Sequence, residues 1–157
     1  MGLREERMRI IIEEPKEDRE DEIIIRCRNL NDEMLQIIAR LRLRESMVTG
    51  YLGESIMRVP AIDIFYFESV EGKVFLYTQN QVYESRQKLY EIENEFKGSD
   101  FLRISKSAIV NIKKIRQISP DFSGRFEALL KNGEKIIISR QYVPSLKRKL
   151  GVSGRGE

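Results

Sequence analysis

The chain opens with two short β-branched runs, "RIIIEEP" (9–15) and "EIIIRCR" (22–28), separated by the charged stretch "KEDRED". Runs of this kind flanking a polar turn predict a β-hairpin. The period then changes. In "NLNDEMLQIIARLRLRE", Leu30, Met34, Ile37, Ile38 and Leu41 recur at helical spacing, which predicts an amphipathic helix over 31–43 with Asn31 or Asp32 as its cap. Arg40, Arg42 and Arg44 fall near its end, where cations suit the helix dipole. A hairpin and one helix, residues 1–46, are too small to hold a large core of their own, so this extension is expected to pack on its neighbour or on a second copy. The face formed by Met34, Ile37, Ile38 and Leu41 is the candidate dimer contact; the alternative is that it covers the chain's own sheet.

From Met47 the pattern is mostly that of strands. "MVTGYLG" and "SIMRVP" flank a turn at Gly53, "IDIFYFESV" and "KVFLYT" flank "EG", and "QVYES" follows the turn "QNQ". Alternation places Ile64, Tyr66 and Glu68 on one face and Phe65, Phe67 and Ser69 on the other. "SRQKLYEIENEF" returns to helical spacing through Leu89, Ile92, Glu93 and Phe96, with Ser85 as cap and Gly98 as terminator. "FLRIS", "KKIRQIS", "RFEALLK" and "EKIIIS" predict further strands, and "NG" at 132–133 a hairpin turn. A closing helix, "QYVPSLKRKL", buries Tyr142, Val143, Leu146 and Leu150. Pro144 must lie in its first turn, which puts Ser139 and Arg140 at a strand-to-helix junction. The expected fold is mostly β with small helices: short antiparallel sheets over 47–151, preceded by the extension 1–46 and followed by a disordered tail, 152–157.

Charge sharpens this picture. Residues 1–98 carry 15 Lys/Arg against 20 Asp/Glu, whereas residues 99–150 carry 12 against 4. A basic half of this kind attracts phosphate backbones through counterion release. The stretch "FLRISKSAIVNIKKI" (101–115) combines strand alternation with four of those cations and no acid. Catalytic chemistry is poorly supplied. The chain has no histidine and one cysteine, which removes histidine triads, histidine metal sites and an internal disulfide. Gly50, Gly53 and Gly72 are isolated and read as turn glycines, not a phosphate cradle. A Ser–Lys dyad from Ser105, Lys106 and Ser107 is the least unfavourable enzyme reading, but adjacent strand residues point to opposite faces. The expectation is a non-enzyme without metal or cofactor. No run of apolar residues approaches a membrane span, and a cytoplasmic setting is expected.

Four segments in order, "VPAIDIFYFESVEGKVFLYT" (59–78), "YESRQKLYEIENEF" (83–96), "FLRISKSAIVNIKKI" (101–115) and "LKNGEKIIISRQYVPSLKRKL" (130–150), resemble the LytTR-type DNA-binding domain of bacterial transcription regulators. The resemblance implies an elongated stack of short sheets that inserts loops, not a recognition helix, into successive major grooves of double-stranded DNA. It places Lys73, Lys106 and Arg140 at the family's base-contacting positions. Arg can bond guanine O6 and N7 with two parallel hydrogen bonds, and Lys can donate to the same edge. Some relatives hold a His or an Asn at the first two positions; lysines there shift weight toward electrostatics. Arg103, Ser105, Ser107, Lys113, Lys114 and Lys147 are candidate phosphate contacts. Asn111 is expected to be structural, closing a turn.

Many relatives carry a phosphorylated receiver domain of about 120 residues. Residues 1–46 are too few to form one, and Asp18, Asp21 and Asp32 lie in a charged turn and a helix cap. Regulation without aspartyl phosphorylation in this chain, as a homodimer, is expected, and the resemblance implies a small membrane protein as regulatory partner. Two other readings stay open. An RNA-binding module would stack bases on Tyr51, Phe122 or Tyr142. A protein-interaction domain with an incidental basic face would show no saturable DNA binding.

Overall fold

The computed structural model describes residues 8–152, so the expected tail lies outside the described residues beyond Val152. The two N-terminal β-branched runs do not pair. The chain turns at Glu17–Asp18, where Asp18 has φ 69° and the Arg19 amide donates to the Lys16 carbonyl at 3.3 Å, but residues 8–31 contain no strand. Ile10 and Ile12 stay 88% and 92% exposed, and Ile23 and Ile24 are exposed as well. The predicted hairpin is thus corrected to a turn without a ladder. Two strands alone are marginal in water until a third element covers one face, and no described element does so here.

Asn31 caps helix α1 (Asp32–Glu45), its side-chain oxygen accepting from the Met34 amide at 2.9 Å. Asp32 and Glu33 in the first turn and Arg42 and Arg44 in the last complement the dipole. There follow strands β1 (Met47–Leu52), β2 (Ser55–Pro60), β3 (Tyr66–Val70), β4 (Lys73–Tyr77) and β5 (Val82–Ser85). Helix α2 (Leu89–Glu95) leads to β6 (Phe101–Ser105), β7 (Ala108–Asn111), β8 (Ile115–Pro120), β9 (Phe126–Leu130) and β10 (Lys135–Ile138), and helix α3 (Val143–Lys149) closes the chain. Seven strands form one sheet in the order β2-β1-β5-β4-β3-β7-β6; β10-β9-β8 form a second, three-stranded one. All pairings are antiparallel.

The near-continuous apolar run "IDIFYF" has its explanation in two cores. Ile64 and Phe67 join Leu43, Val74, Leu76, Leu89, Ile92, Phe96, Phe101 and Ile109 in one cluster. Phe65 and Tyr66 join Ile104, Val110, Ala128, Leu130, Ile138, Val143 and Leu146 in the other. The centre of the large sheet is therefore covered on both faces, by α1 and α2 on one and by the small sheet with α3 on the other. A strand buried on both faces loses simple alternation.

Several local expectations are corrected. Ser85 ends β5 instead of capping α2, which starts after Lys88; the Ser85 hydroxyl accepts from the Gln87 amide at 3.2 Å. Gly53 and Gly72 do turn the chain at φ 60° and 80°, but Gly50 is buried within β1, where an added Cβ would lie 2.7 Å from the Tyr83 Cβ. The close β1–β5 approach needs that missing side chain. Leu150 is exposed, whereas Val143 and Leu146 are buried as predicted. On α1 the buried residue is Leu43, while Met34, Ile37, Ile38 and Leu41 are half-buried.

Helix α1 reaches a buried carboxylate. Asp100 is 3% exposed, and Arg40 of α1 reaches its Oδ1 at 3.3 Å. Burial pulls the Lys149 ammonium of α3 below the usual lysine range, with Asp100 opposing and Arg40 reinforcing the shift.

Candidate nucleic-acid interface

Antiparallel register brings three loops to one end of the molecule. Glu68 lies opposite Ala108, so the turn between β3 and β4 stands beside the turn between β6 and β7. The Ser69 amide donates to the Ser107 carbonyl at 2.7 Å, and the Ser139 amide to the Ile104 carbonyl at 2.9 Å. Lys73, Lys106 and Arg140, all exposed, therefore share this end. Lys106 and Arg140 line one open cleft of about 510 Å³ with Ser105, Ser107, Arg125, Ser139 and Gln141. Lys73 stands on the neighbouring turn, just past Gly72.

The turn that carries Lys106 is built from its own side chains. A register shift between Arg103 and Ser105 breaks the alternation of β6. The Ser105 hydroxyl accepts from the Ser107 amide at 3.1 Å and lies 3.4 Å from the Ser107 hydroxyl, a local turn of the kind serine favours. Arg103 folds over this turn. Its Nε donates to the Ser105 carbonyl at 2.7 Å, its Nη2 to the Lys106 carbonyl, and its Nη1 to Glu93 of α2 at 3.0 Å. The guanidinium is thereby committed to shaping the loop, so its geometry differs from the free cation that the alternation suggests.

The remaining candidates divide by position. Lys147 is half-buried, with its ammonium 5.3 Å from the Phe126 ring, at the same end as the cleft. Lys113 and Lys114 lie past the far end of β7, about 13 Å from the Lys106 turn at the usual strand rise. Lys113 is exposed there, and Lys114 sits 5.0 Å from the Phe65 ring. Asn111 has the predicted structural part: buried, it donates to the Ile64 carbonyl at 3.0 Å and accepts from the Lys113 amide at 3.1 Å. Of the three aromatics available for stacking, Tyr51 is covered by the Arg86 guanidinium at 3.9 Å and Tyr142 packs on the second core, while Phe122 is bare.

Sequence reasoning missed Arg125 as a cleft residue. It belongs to the β8–β9 loop, which Asp121 organises by accepting from the Ser123 amide at 2.9 Å, the Arg125 amide at 3.1 Å and the Arg125 Nε at 2.9 Å. The Ser123 amide holds the Asp121 carboxyl below the usual carboxylate range against the opposing cost of desolvation, with help from the Ser123 hydroxyl and Arg125. The signal in "DFSGR" was an Asp-led turn with a glycine, and Gly124 does take φ 80°.

A family model described as the LytTr DNA-binding domain matches residues 54–151. This chain belongs to that family. The solved LytTr DNA-binding domain from Bacillus cereus shares the fold with a TM-score of 0.64 at 28% identity, over 68% of this chain and 97% of that one. The sensory transduction protein LytT of Bacillus subtilis (strain 168) is 29% identical over 136 residues, 87% of this chain but 56% of LytT. LytT of Bacillus anthracis is 34% identical over 99 residues, 63% of this chain and 40% of that protein. The chain thus spans about half the length of these LytT relatives. An uncharacterized HTH-type transcriptional regulator of Staphylococcus aureus (strain NCTC 8325 / PS 47) is 30% identical over 135 residues, 85% of this chain and 91% of that protein. Among the described residues the three α-helices are separated by strands, so none pairs with another as a helix-turn-helix. Among the described residues no helix is long and apolar enough to cross a membrane.

Proposed function

We propose that this protein regulates transcription by binding a specific double-stranded DNA sequence through its loops. Arg140 and Lys106 would face base edges in the major groove from the shared cleft, with Lys73 reaching an adjacent position. Ser105, Ser107 and Lys147 would contact phosphates beside the cleft, and Lys113 and Lys114 the flanking backbone. The observation that carries this reading is the convergence of Lys106 and Arg140, 34 positions apart in sequence, on one cleft in a chain of a DNA-binding family. A planar guanidinium at a rigid junction suits bidentate readout of guanine, and a flexible lysine suits a less exacting contact.

A cytoplasmic setting and a homodimer belong to the same proposal, with Met34, Ile37, Ile38 and Leu41 at the dimer contact; their partial exposure leaves surface for a second copy. So does the regulatory small membrane protein implied by the family resemblance. The test of the central reading is selection of bound duplexes from a random pool, followed by Arg140→Ala. Loss of about 1–3 kcal/mol for the enriched duplex, with little change for a scrambled one, supports base readout. Unchanged binding to the enriched duplex overturns it.

A further inference from the structure

Phe122 is the most exposed large apolar side chain among the described residues, at 111% of its reference area. Phe65 and Phe126 each have a lysine over the ring, and Tyr51 an arginine; among the described residues none covers Phe122 in this way. Nor is it at the tip of a loose loop. Asp121 gathers the loop through the Ser123 amide and hydroxyl, the Arg125 amide and the Arg125 Nε, and its own amide donates to the Arg125 carbonyl at 2.9 Å. The loop is also fitted against the cleft. A Cβ added at Gly124 would lie 3.4 Å from the Arg140 Cδ and 3.5 Å from its Nε, so the arginine stem runs along this glycine. Arg125, the loop's last residue, lines the cleft itself.

Every residue that lines the cleft is polar or charged (serines, a glutamine, a lysine and two arginines), so its only apolar surface is that of their own carbon atoms. These groups suit phosphates and the hydrogen-bonding edges of bases, but none is an apolar side chain matched to the one apolar mark that the major groove displays, the thymine methyl group. A phenyl ring held out beside that lining is so matched. With two side-chain torsions, it also loses little freedom when it is pinned.

We infer that Phe122 is a specificity-determining residue that lies against a thymine methyl group next to the base read by Arg140. The inference rests on the cleft being a duplex interface and adds a second, apolar element to its readout. It assigns the β8–β9 loop a direct part in recognition.

The experiment uses the full chain, a duplex enriched from a random pool, and copies of that duplex in which each thymine in turn is replaced by uracil, which pairs alike but lacks the methyl group. Phe122→Ala should bind the enriched duplex about tenfold more weakly than the unaltered protein and a scrambled duplex equally well, and Phe122→Leu should fall between. At least one thymine-to-uracil replacement should weaken the unaltered protein about fourfold, the value of one methyl group, and leave Phe122→Ala unaffected. Phe122→Ala should melt with the unaltered protein, because the ring is buried against nothing. Equal binding of the enriched duplex, an equal loss on the scrambled one, or identical responses to every uracil overturns the inference. Arg140→Ala separates the two levels: if it alone loses the enriched duplex, the interface stands and Phe122 has no part in it. If neither variant loses it, the interface reading fails as well.

Discussion

The Ser139 amide donates to the carbonyl of Ile104 at 2.9 Å. That one bond joins the end of β10 to the end of β6 and fixes Arg140 relative to the Lys106 turn. Ser139 has φ −65° and ψ 148°, which proline adopts without strain. Ser139→Pro should therefore remove the donor with little other change, at a cost of about 1–3 kcal/mol in stability for the orphaned buried carbonyl. Binding of the enriched duplex should fall, while Ser139→Ala, which keeps the amide, should leave stability nearly unchanged. Urea melts beside duplex titrations check both.

Arg103 bridges α2 to the Lys106 turn through Glu93 and two carbonyls. Arg103→Ala should cost about 1–2 kcal/mol, the lower part of the range for charge-assisted bonds because Glu93 is half in solvent. Arg103→Lys should restore little, since an ammonium cannot span the same fork of acceptors. The expected signature in binding is a loss confined to the enriched duplex, because the turn, and not a phosphate contact, is disturbed. A parallel loss on scrambled DNA would assign Arg103 to phosphates instead.

Lys113 tests how far the footprint extends along β7. Lys113→Ala should weaken enriched and scrambled duplexes about equally and lower the salt slope by about one. An unchanged slope would confine contact to the end of the molecule that carries the cleft. Titrations at several salt concentrations decide it.

Tyr66 couples the sheets to pH. Its hydroxyl donates to Glu134 at 2.7 Å and its ring stacks on Tyr77 at 4.2 Å. Burial, then the bond to Glu134 and the nearby carboxylates, raises it above the ordinary 10.0. A group raised on folding keeps its proton longer in the native state, so its contribution is complete below pH about 10 and is lost as pH rises further. Tyr66→Phe should make stability fall less steeply above that pH, as read from denaturant melts between pH 8 and 11 (a range chosen about the usual tyrosine value). The same slope in both proteins would refute the coupling.

Much of the fold was legible because the signals were local. The "NG" turn, the Pro144 helix start and the Asn31 cap each depend on residues within a turn of one another, and all three are present. What failed depended on distant partners. The Ile10–Ile12 and Ile23–Ile25 runs have the composition of strands, but nothing in them specifies a third element to pair with. That Arg103, a candidate phosphate contact, also shapes the loop was not legible, because only the bulge before Ser105 turns the chain beneath its guanidinium. Arg125 pairs with Asp121 four positions earlier and still lines the cleft, a placement that depends on how the β8–β9 loop folds against Arg140. The clustering of Lys73, Lys106 and Arg140 came from family resemblance; strand order, not periodicity, explains it.

The pairing of Arg40 with Asp100 has a practical consequence for anyone trimming the protein. The family match begins at residue 54, yet Leu43 and Val48 are part of the first core and β1 is the bridge between β2 and β5. A fragment cut at the edge of the match would leave Asp100 without its guanidinium and β5 with a bare flank. Residues before the homology footprint therefore supply part of the first core and the strand that links β2 to β5.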